Sequence, residues 1–486
     1  MKKSIELPLD YSPGKMDTAF ADFQNNFPSF KKTNSLDNLR KSEYSRLDIN
    51  NQIYLDYTGG GQYADSQLRE HLEILRQGVF GNPHSNNPSS LASTAFVQKA
   101  RSCVLEFFNA SPDEYVVIFT ANATGAIKLV AESYPFSSGS QLLMTFDNHN
   151  SVNGIREFAH AKNSTVNYVP IIPPDLRVDT EKLFDRFNSS RKDHHNLFVY
   201  PAQSNFSGVQ HPLEWIALAQ DKGWDVMIDS AAFAPTNRLD LNLWHPDFVP
   251  ISFYKMFGYP TGVGCLIARK ETLHKLKRPW FSGGTITISS VQGEGYYLAE
   301  DEAGFEDGTV NFLNLPAVEI GLKHIENVSI GMIHERVNCL AGWLLRQLLS
   351  LHHSNGLPLI RIYGPTDMNK RGGTIAFNFY DPYEKLIDYR QVEALANKAN
   401  ISLRTGCFCN PGVNETIHGL SEKELSACFI NKERMTFQQF ITVIQKIDGK
   451  SAGAIRVSLG LVTNFPDVYR FMQFVNGFLD KSAAET

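Results

Sequence analysis

Seven short apolar runs, separated by segments with helical periodicity, set the strongest constraint on the fold of this 486-residue chain. Apolar runs of this length, bounded by turn residues, are typical of buried strands. The predicted strands lie near residues 115–119, 141–146, 166–171, 196–200, 225–229, 247–253 and 262–268. The intervening helical patterns lie near residues 122–134, 152–162, 180–188 and 212–222. This alternation predicts an α/β fold with a mostly parallel seven-stranded sheet, in which ligands bind at the carboxyl ends of the strands.

The length of the chain predicts two packed domains rather than one core. Residues 1–50 are mostly polar with four spaced phenylalanines, and we expect them to form an N-terminal arm that packs on the body of the protein. Residues 51–312 form the predicted large domain, and residues 313–486 form a smaller α+β domain. The smaller domain is predicted to have a long helical pattern over 316–351, strands near 359–363, 373–379 and 454–459, and helices near 388–398, 436–447 and 465–478.

The composition argues against nucleic acid and membranes as partners. A formal net charge of −5, with no long run of lysine and arginine, provides no positive surface for a phosphate backbone. No apolar run approaches the roughly 18 residues of a membrane span, and the N-terminus lacks the apolar core of a secretory signal. Six scattered cysteines do not form a disulfide framework, which predicts a reducing, cytoplasmic location.

An acid and an amine stand at the ends of two predicted strands. Asp229 ends an apolar run that contains no basic residue to pair with it, and Lys255 lies between a strand and a glycine-rich turn. An enzyme that uses pyridoxal 5'-phosphate (PLP) needs an amine to bind the cofactor as a Schiff base and a carboxylate to keep its pyridine nitrogen protonated. Asp229 and Lys255 suit these two roles. A helix-capping aspartate and a surface lysine are the alternative.

Residues at other strand ends extend this hypothesis. Ala123 and Thr124 begin a predicted helix, where free backbone N–H groups and the helix dipole favour a phosphate, and Ser252 would add a hydroxyl. His149 would stack on the pyridine ring, and Asn205 would form a hydrogen bond with the ring oxygen. Each residue alone also fits a role as a helix cap or a surface side chain. Their agreement at five strand ends favours a cofactor site.

A glycine-bearing loop over residues 403–412 carries Arg404 and two cysteines, Cys407 and Cys409. A positive neighbour lowers the pKa of a thiol and so raises the fraction of thiolate, which is the nucleophilic form. In an extended stretch both cysteines share one face, so this geometry does not choose between them. A metal site and a regulatory disulfide are alternative functions for the pair. The other four cysteines are predicted core residues: Cys103, Cys265, Cys339 and Cys428.

Several motifs together resemble those of the class V, fold type I PLP-dependent transferases, the family of the cysteine desulfurases. The motifs that carry this resemblance are Asp229, Ser252-Phe-Tyr-Lys255, Thr261-Gly-Val-Gly264 and Ala454-Ile-Arg-Val-Ser458. Residues 81–85, 119–124, 147–149, 253–258, 305–309 and 404–410 further resemble the N-terminal desulfurase-like domain of molybdenum cofactor sulfurases. The resemblance runs from about residue 50 to about residue 470.

The resemblance implies a role for each candidate residue. Arg456 matches the arginine that binds the substrate carboxylate, a role that suits a planar guanidinium, and Arg404 is assigned to the same substrate site. Thr309 matches a position that reaches the phosphate of a neighbouring subunit, which implies a homodimer with shared sites. Cys409 stands five residues after Arg404, at the family position of the persulfide carrier. The implied cofactor contacts are Lys255, Asp229, His149, Asn205, Ala123, Thr124 and Ser252.

The resemblance therefore predicts a cysteine desulfurase that converts L-cysteine to L-alanine and passes sulfur from Cys409 to an acceptor, either a protein or molybdenum cofactor. Val413-Asn-Glu415 replaces a second cysteine-bearing segment of the sulfurases, and the sequence ends at Thr486, so we expect a stand-alone enzyme. One alternative is a class V enzyme of other chemistry, such as an epimerase, aminotransferase or β-lyase. Another is a non-catalytic sulfur-relay protein, against which the intact pair of Lys255 and Asp229 argues.

Overall fold

The structure, a computed structural model, describes residues 11–191, 193–429, 435–436, 439, 442 and 452–485. Its strands in chain order are β1 (Ile53–Tyr54), β2 (Tyr115–Thr120), β3 (Gln141–Thr145), β4 (Thr165–Val169), β5 (Ile171–Ile172), β6 (Arg177–Val178), β7 (Asn196–Pro201), β8 (Trp224–Asp229), β9 (Phe248–Ser252), β10 (Gly264–Arg269), β11 (Ile286–Ser289), β12 (Tyr296–Leu298), β13 (Ile360–Tyr363), β14 (Thr374–Phe379), β15 (Ile401–Ser402), β16 (Arg404–Gly406) and β17 (Ala454–Ser458).

The α-helices in chain order are α1 (Met16–Asn26), α2 (Ser35–Glu43), α3 (Arg46–Ile49), α4 (Asp65–Gln77), α5 (Pro88–Phe107), α6 (Ala123–Ser133), α7 (Asn150–Asn153), α8 (Ile155–Ala161), α9 (Thr180–Asn188), α10 (Trp215–Gln220), α11 (Leu241–Trp244), α12 (Phe253–Phe257), α13 (Lys270–Leu273), α14 (Leu315–Val328), α15 (Ile330–Ser350), α16 (Tyr389–Lys398), α17 (Pro411–His418), α18 (Glu422–Phe429) and α19 (Phe465–Asn476). Short 3-10 helices span Pro13–Lys15, Pro28–Thr33 and Asp301–Phe305.

The large sheet has seven strands in the order β2-β10-β9-β8-β7-β3-β4. Only β10 runs antiparallel to its neighbours, so the predicted α/β fold with a mostly parallel seven-stranded sheet is confirmed. Both faces of the sheet are covered. On β2, Val116 and Ile118 belong to one apolar cluster, whereas Val117 and Phe119 belong to the other. Strands buried on both faces explain the continuous apolar runs in the sequence.

A second, antiparallel sheet has the order β13-β14-β17-β16. Strands β13, β14 and β17 match the three strand patterns predicted for this part of the chain, whereas β16 was predicted as part of a loop. This strand has only three residues and ends on Gly406, so its sequence carries no alternating pattern. Because β17 pairs with β14 on one side and β16 on the other, Arg456 lies at a rigid position next to the cysteine loop.

The N-terminal segment packs on the C-terminal part of the chain. Strand β1 pairs in parallel with β15, and the fully buried Phe23 contacts Phe465 and Trp343, with ring centroids 5.0 and 6.3 Å away. The helical pattern over 316–351 forms two helices, α14 and α15, which are separated at Ser329 by a backbone φ of 76°. The domain boundaries at residues 50 and 312 remain predictions.

Two sequence predictions fall on positions for which little is described. The helix predicted near 436–447 lies largely outside the described residues, and so does the side chain of Cys428. Cys103, Cys265 and Cys339 are buried, as predicted for core residues. Among the helices of the described ranges, none combines the length and apolar character needed to cross a membrane.

Candidate active site

A cavity of about 230 Å³ opens at the carboxyl ends of the parallel strands. The segments that follow β2, β3 and β7, together with the ends of β8 and β9, all contribute to its wall. Its lining residues include seven of the predicted site residues: Ala123, Thr124, His149, Asn205, Asp229, Ser252 and Lys255. The topology of the sheet therefore brings together residues that lie more than 130 positions apart between the first and the last.

One end of the cavity is built from the start of helix α6 and three hydroxyl groups. The backbone N–H of Ala123 donates to Ser252 Oγ at 3.0 Å. Thr124 Oγ1 lies 2.8 Å from Ser151 Oγ, which also lines the cavity. Sequence reasoning missed Ser151, although it ends the polar run that contains His149. Hydroxyl groups at the positive end of an eleven-residue helix make this a suitable phosphate site.

The other end carries the acid, the amine and the imidazole. Asp229 is 9% exposed, and its Oδ1 accepts a hydrogen bond from the backbone N–H of Ala231 at 3.0 Å. Burial lowers the pKa of Lys255, an effect that Asp229 opposes. Burial likewise lowers the pKa of His149, whose Nδ1 accepts a hydrogen bond from the backbone N–H of Ser151 at 3.1 Å. Burial therefore shifts the amine and the imidazole towards their neutral forms, and the nearby Asp229 opposes this shift in both.

The two predicted substrate arginines share a carboxylate that sequence reasoning missed. Arg456 Nη2 donates to Asp56 Oδ1 at 2.9 Å, and Arg404 Nη2 donates to Asp56 Oδ2 at 2.6 Å. Arg456 Nη1 also donates to the backbone oxygen of Asn205 at 2.9 Å. The Nε atom of Arg456 is buried and has no partner among the described residues. A contact of Arg456 with a substrate carboxylate remains a prediction.

Arg404 has a different environment from that of Arg456. Neither arginine is among the residues that line the cavity, but the side chain of Arg404 is 51% exposed, and its Nε and Nη2 both donate to Asp56. The hydrogen bond with Asp56 raises the pKa of Arg404. A direct contact of Arg404 with substrate therefore remains a prediction, while its contact with Asp56 is the geometry observed. A signal was present in the sequence, because Asp56 follows the short apolar run of residues 53–55 much as Asp229 ends a predicted strand.

The cysteine loop is a turn rather than an extended stretch. Phe408 and Cys409 have φ values of 53° and 54°, and Gly406 has a φ of 99°, so the expected extended geometry of residues 407–409 is wrong. Consecutive left-handed residues reverse the chain, and the two cysteines consequently have different environments. Cys409 is exposed, whereas Cys407 is partly buried and its burial raises the pKa of the thiol. Exposure in the structure therefore distinguishes Cys409 from Cys407, whereas their spacing in the sequence did not.

Hydrogen bonds fix this loop against the cavity. The backbone N–H of Asn150 donates to the backbone oxygen of Cys409 at 2.7 Å, and Asn205 Nδ2 donates to the backbone oxygen of Phe408 at 2.8 Å. The ring of Phe408 lies beneath the Arg456 guanidinium, 4.8 Å from ring centroid to Cζ. Cys409 is therefore fixed beside the cavity that contains Lys255. Within the part of the chain that the structure describes, no group of three or more His, Cys, Asp and Glu residues could bind a metal ion.

Thr309 lies away from the other candidate residues. Its Oγ1 accepts a hydrogen bond from Asn82 Nδ2 at 3.2 Å, and it is not among the residues that line the cavity. The turn is built by Gly308, whose φ of 73° favours glycine. A contact of Thr309 with the phosphate site of a second subunit remains a prediction.

The comparison with protein families decides the classification. The model of the family described as aminotransferase class-V matches residues 53–471. The chain belongs to the aminotransferase class-V family. This class V family uses PLP, and the cavity fits that cofactor, because it combines an amine of lowered pKa, a buried carboxylate and a helix N-terminus surrounded by hydroxyl groups.

Curated class V relatives include molybdenum cofactor sulfurases. That of Solanum lycopersicum is 36% identical over 481 residues, covering 91% of this chain and 57% of the relative. That of Homo sapiens is 37% identical over 467 residues, covering 91% of this chain and 51% of the relative. The chain thus spans about half the length of the curated relatives it matches.

Solved structures with the same class V fold include enzymes described by two different activities. The cysteine desulfurase from Thermococcus onnurineus NA1 has a TM-score of 0.72 and 23% identity, over 90% of this chain and 98% of that one. The cystine C–S lyase C-DES, in complex with cysteine persulfide, has a TM-score of 0.65 and 17% identity, over 88% of this chain and 98% of that one. The fold alone therefore does not choose between desulfuration and lysis, and the choice depends on the site.

Proposed function

We propose that this class V protein is a PLP-dependent cysteine desulfurase that converts L-cysteine to L-alanine and carries the released sulfur on Cys409. The observation that carries this proposal is an exposed thiol fixed beside the cavity that contains Lys255 and Asp229. A lyase, an epimerase or an aminotransferase needs the amine and the carboxylate but has no need of this thiol. The resemblance to sulfurases, at 36–37% identity, supports the same reaction.

Different residues of the site would bind different parts of the cofactor and the substrate. Lys255 would bind the cofactor covalently, Asp229 would pair with its pyridine nitrogen, and Thr124 and Ser252 would contact its phosphate. When bound, PLP supplies an electron-accepting ring that activates the substrate amino acid. Arg456 would bind the substrate carboxylate, a role that suits its planar guanidinium.

Cys409 performs the transfer of sulfur from the substrate to the enzyme. Its thiolate attacks the sulfur atom of the bound cysteine, and a sulfur–sulfur bond forms as the carbon–sulfur bond of the substrate breaks. The electron pair of the broken bond stays on the substrate carbon, which takes up a proton and leaves as part of alanine. An external thiol or an acceptor molecule then removes the sulfur from the persulfide and restores the Cys409 thiol.

The proposal also covers the sulfur acceptor, the oligomeric state and the cellular location. The acceptor is a separate protein or molybdenum cofactor, and the sulfurase relatives support molybdenum cofactor as the first to test. The enzyme acts as a homodimer in which Thr309 completes the phosphate site of the second subunit, a role that suits its position outside the cavity wall of its own chain. A reactive free thiol also suits the reducing environment of the cytoplasm.

The test is a steady-state assay of the purified, PLP-loaded protein with L-cysteine and a reducing thiol, in which alanine, sulfide and pyruvate are all measured. We expect equal amounts of alanine and sulfide, and a loss of both in Cys409→Ala. Cys407→Ala is the matched control, because this cysteine lies in the same loop and is partly buried, and it should retain activity. Pyruvate as the product, or full turnover by Cys409→Ala, would reject desulfuration in favour of a lyase.

A further inference from the structure

The side chain of Asn410 connects the cysteine loop to two strand ends of the cavity. Asn410 is fully buried, and its Nδ2 donates to the backbone oxygen of Asp147 at 2.7 Å and to Asn205 Oδ1 at 2.9 Å. Its Oδ1 accepts a hydrogen bond from the backbone N–H of Val413 at 3.3 Å and so caps helix α17. Both amide hydrogens of one side chain are therefore used to fix the loop, in addition to the bonds that its backbone forms.

The two residues that flank Cys409 in the sequence both form hydrogen bonds with the side chain of Asn205. Asn205 donates to the backbone oxygen of Phe408 and accepts from Asn410, so that a single carboxamide bonds to the residues on both sides of the thiol. Asn205 also lines the cavity. Its second amide hydrogen is not used in these two bonds, which leaves it free for the ring oxygen of the cofactor.

We propose that Asn410 is a positioning residue that latches the cysteine loop in the closed state required for sulfur attack. The proposal rests on the proposed function and extends it to a residue that touches neither substrate nor cofactor. Attack requires the exposed Cys409 to stay fixed beside the cavity, whereas transfer to a bulky acceptor requires the loop to release it. A latch of a few neutral hydrogen bonds suits both demands, because each such bond contributes only about 1 kcal/mol and can break during turnover.

The decisive variant is Asn410→Ser. A serine hydroxyl still caps helix α17, but it lacks the two amide hydrogens that reach Asp147 and Asn205. Asn414→Ser is the matched control. Asn414 is 4% exposed and lies in the same helix, and its Oδ1 accepts a hydrogen bond from the backbone N–H of Gly453 at 2.8 Å, away from the cavity.

Two readouts on the PLP-loaded enzymes separate a latch from a general loss of structure. Hydrogen exchange followed by mass spectrometry reports the opening of the loop peptide over residues 404–416. Single-turnover mixing with L-cysteine reports the rate of alanine formation. For Asn410→Ser we expect exchange in the loop to rise about tenfold or more and alanine formation to slow by a similar factor, since two hydrogen bonds are lost. Visible absorbance of the lysine-bound cofactor and KM for L-cysteine should stay within about twofold of wild type, because Asn205 keeps its bond to the backbone oxygen of Phe408.

Several outcomes would overturn the latch. Unchanged exchange in Asn410→Ser would do so, as would equal increases in Asn410→Ser and Asn414→Ser, or slower alanine formation without faster exchange. If Asn410→Ser does not fold, Asn410→Asp, which keeps the side-chain size and the helix cap, is judged by the same readouts. Exchange does not depend on catalysis, so a wild-type protein that forms no alanine would reject the proposed function and leave the latch to be judged on exchange alone.

Discussion

Replacement of Asp56 by alanine should measurably destabilise the protein, because this carboxylate is shared by two arginines. The side chain of Arg456 is 4% exposed and that of Asp56 is 10% exposed, so their 2.9 Å ion pair is buried. The side chain of Arg404 is 51% exposed, and water screens its pair with Asp56. Asp56→Ala therefore leaves one buried guanidinium without its counter-charge and one exposed guanidinium that water can solvate.

The size of the effect follows from this asymmetry. Removal of one partner from a buried ion pair costs about 3–5 kcal/mol, whereas an exposed pair contributes about 1 kcal/mol or less. Arg456 keeps its bond to the backbone oxygen of Asn205, which places the expected loss at about 3 kcal/mol. With an unfolding entropy of about 2.1 cal/mol/K per residue over 486 residues, this loss lowers the Tm by about 3 °C.

The assay is urea denaturation of the PLP-loaded protein, supported by thermal melting. Arg404→Ala is the control and should lose about 1 kcal/mol or less. The double variant Asp56→Ala/Arg456→Leu should recover most of the loss, because it removes the unpaired charge as well. A loss below about 1 kcal/mol in Asp56→Ala, or a double variant no more stable than the single one, would refute this reasoning.

Three further predictions use other parts of the site. Because burial lowers the pKa of Lys255, capture of PLP by the cofactor-free protein should have a pH midpoint below the usual lysine value of 10.5; a midpoint at or above it contradicts the account. Burial lowers the pKa of His418 from 6.5 to about 4, so the stability present above pH 6.5 is lost as the pH falls towards 4. The loss in the free energy of unfolding is at most about 3 kcal/mol. Urea denaturation over this pH range should show a smaller loss for His418→Gln than for wild type. A Cβ on Gly412 would lie 1.9 Å from the backbone oxygen of Phe146, so Gly412→Ala should cost about 1–3 kcal/mol and slow alanine formation; wild-type stability and rate would contradict this.

The sequence was informative where function depends on strand ends. Asp229 and Ser252 terminate buried strands, and parallel strands end at the same edge of a sheet, so local patterns were enough to place them together. The direction of β10 was not predictable, because alternation and apolar content are the same for parallel and antiparallel strands of a buried sheet.

The ion pairs of the site were harder to predict. Asp56 and Arg404 are 348 positions apart, and long-range pairing of β1 with β15, and of Asp56 with Ser458 at the end of β17, brings their segments together. The shape of the cysteine loop was also missed, because left-handed φ values at Phe408 and Cys409 are imposed by contacts with Asn205 and Asn150 rather than by local preference. Tertiary contacts, which sequence patterns do not record, therefore determined which cysteine is exposed.

The location of the transferred sulfur shows whether Cys409 is the persulfide carrier. The PLP-loaded protein is mixed with one equivalent of L-cysteine without a reducing thiol, and the loop peptide is analysed by mass spectrometry. We expect the added mass of one sulfur atom on Cys409, none on Cys407, and alanine in equal amount. Alanine or pyruvate formed without sulfur on Cys409 would contradict this expectation.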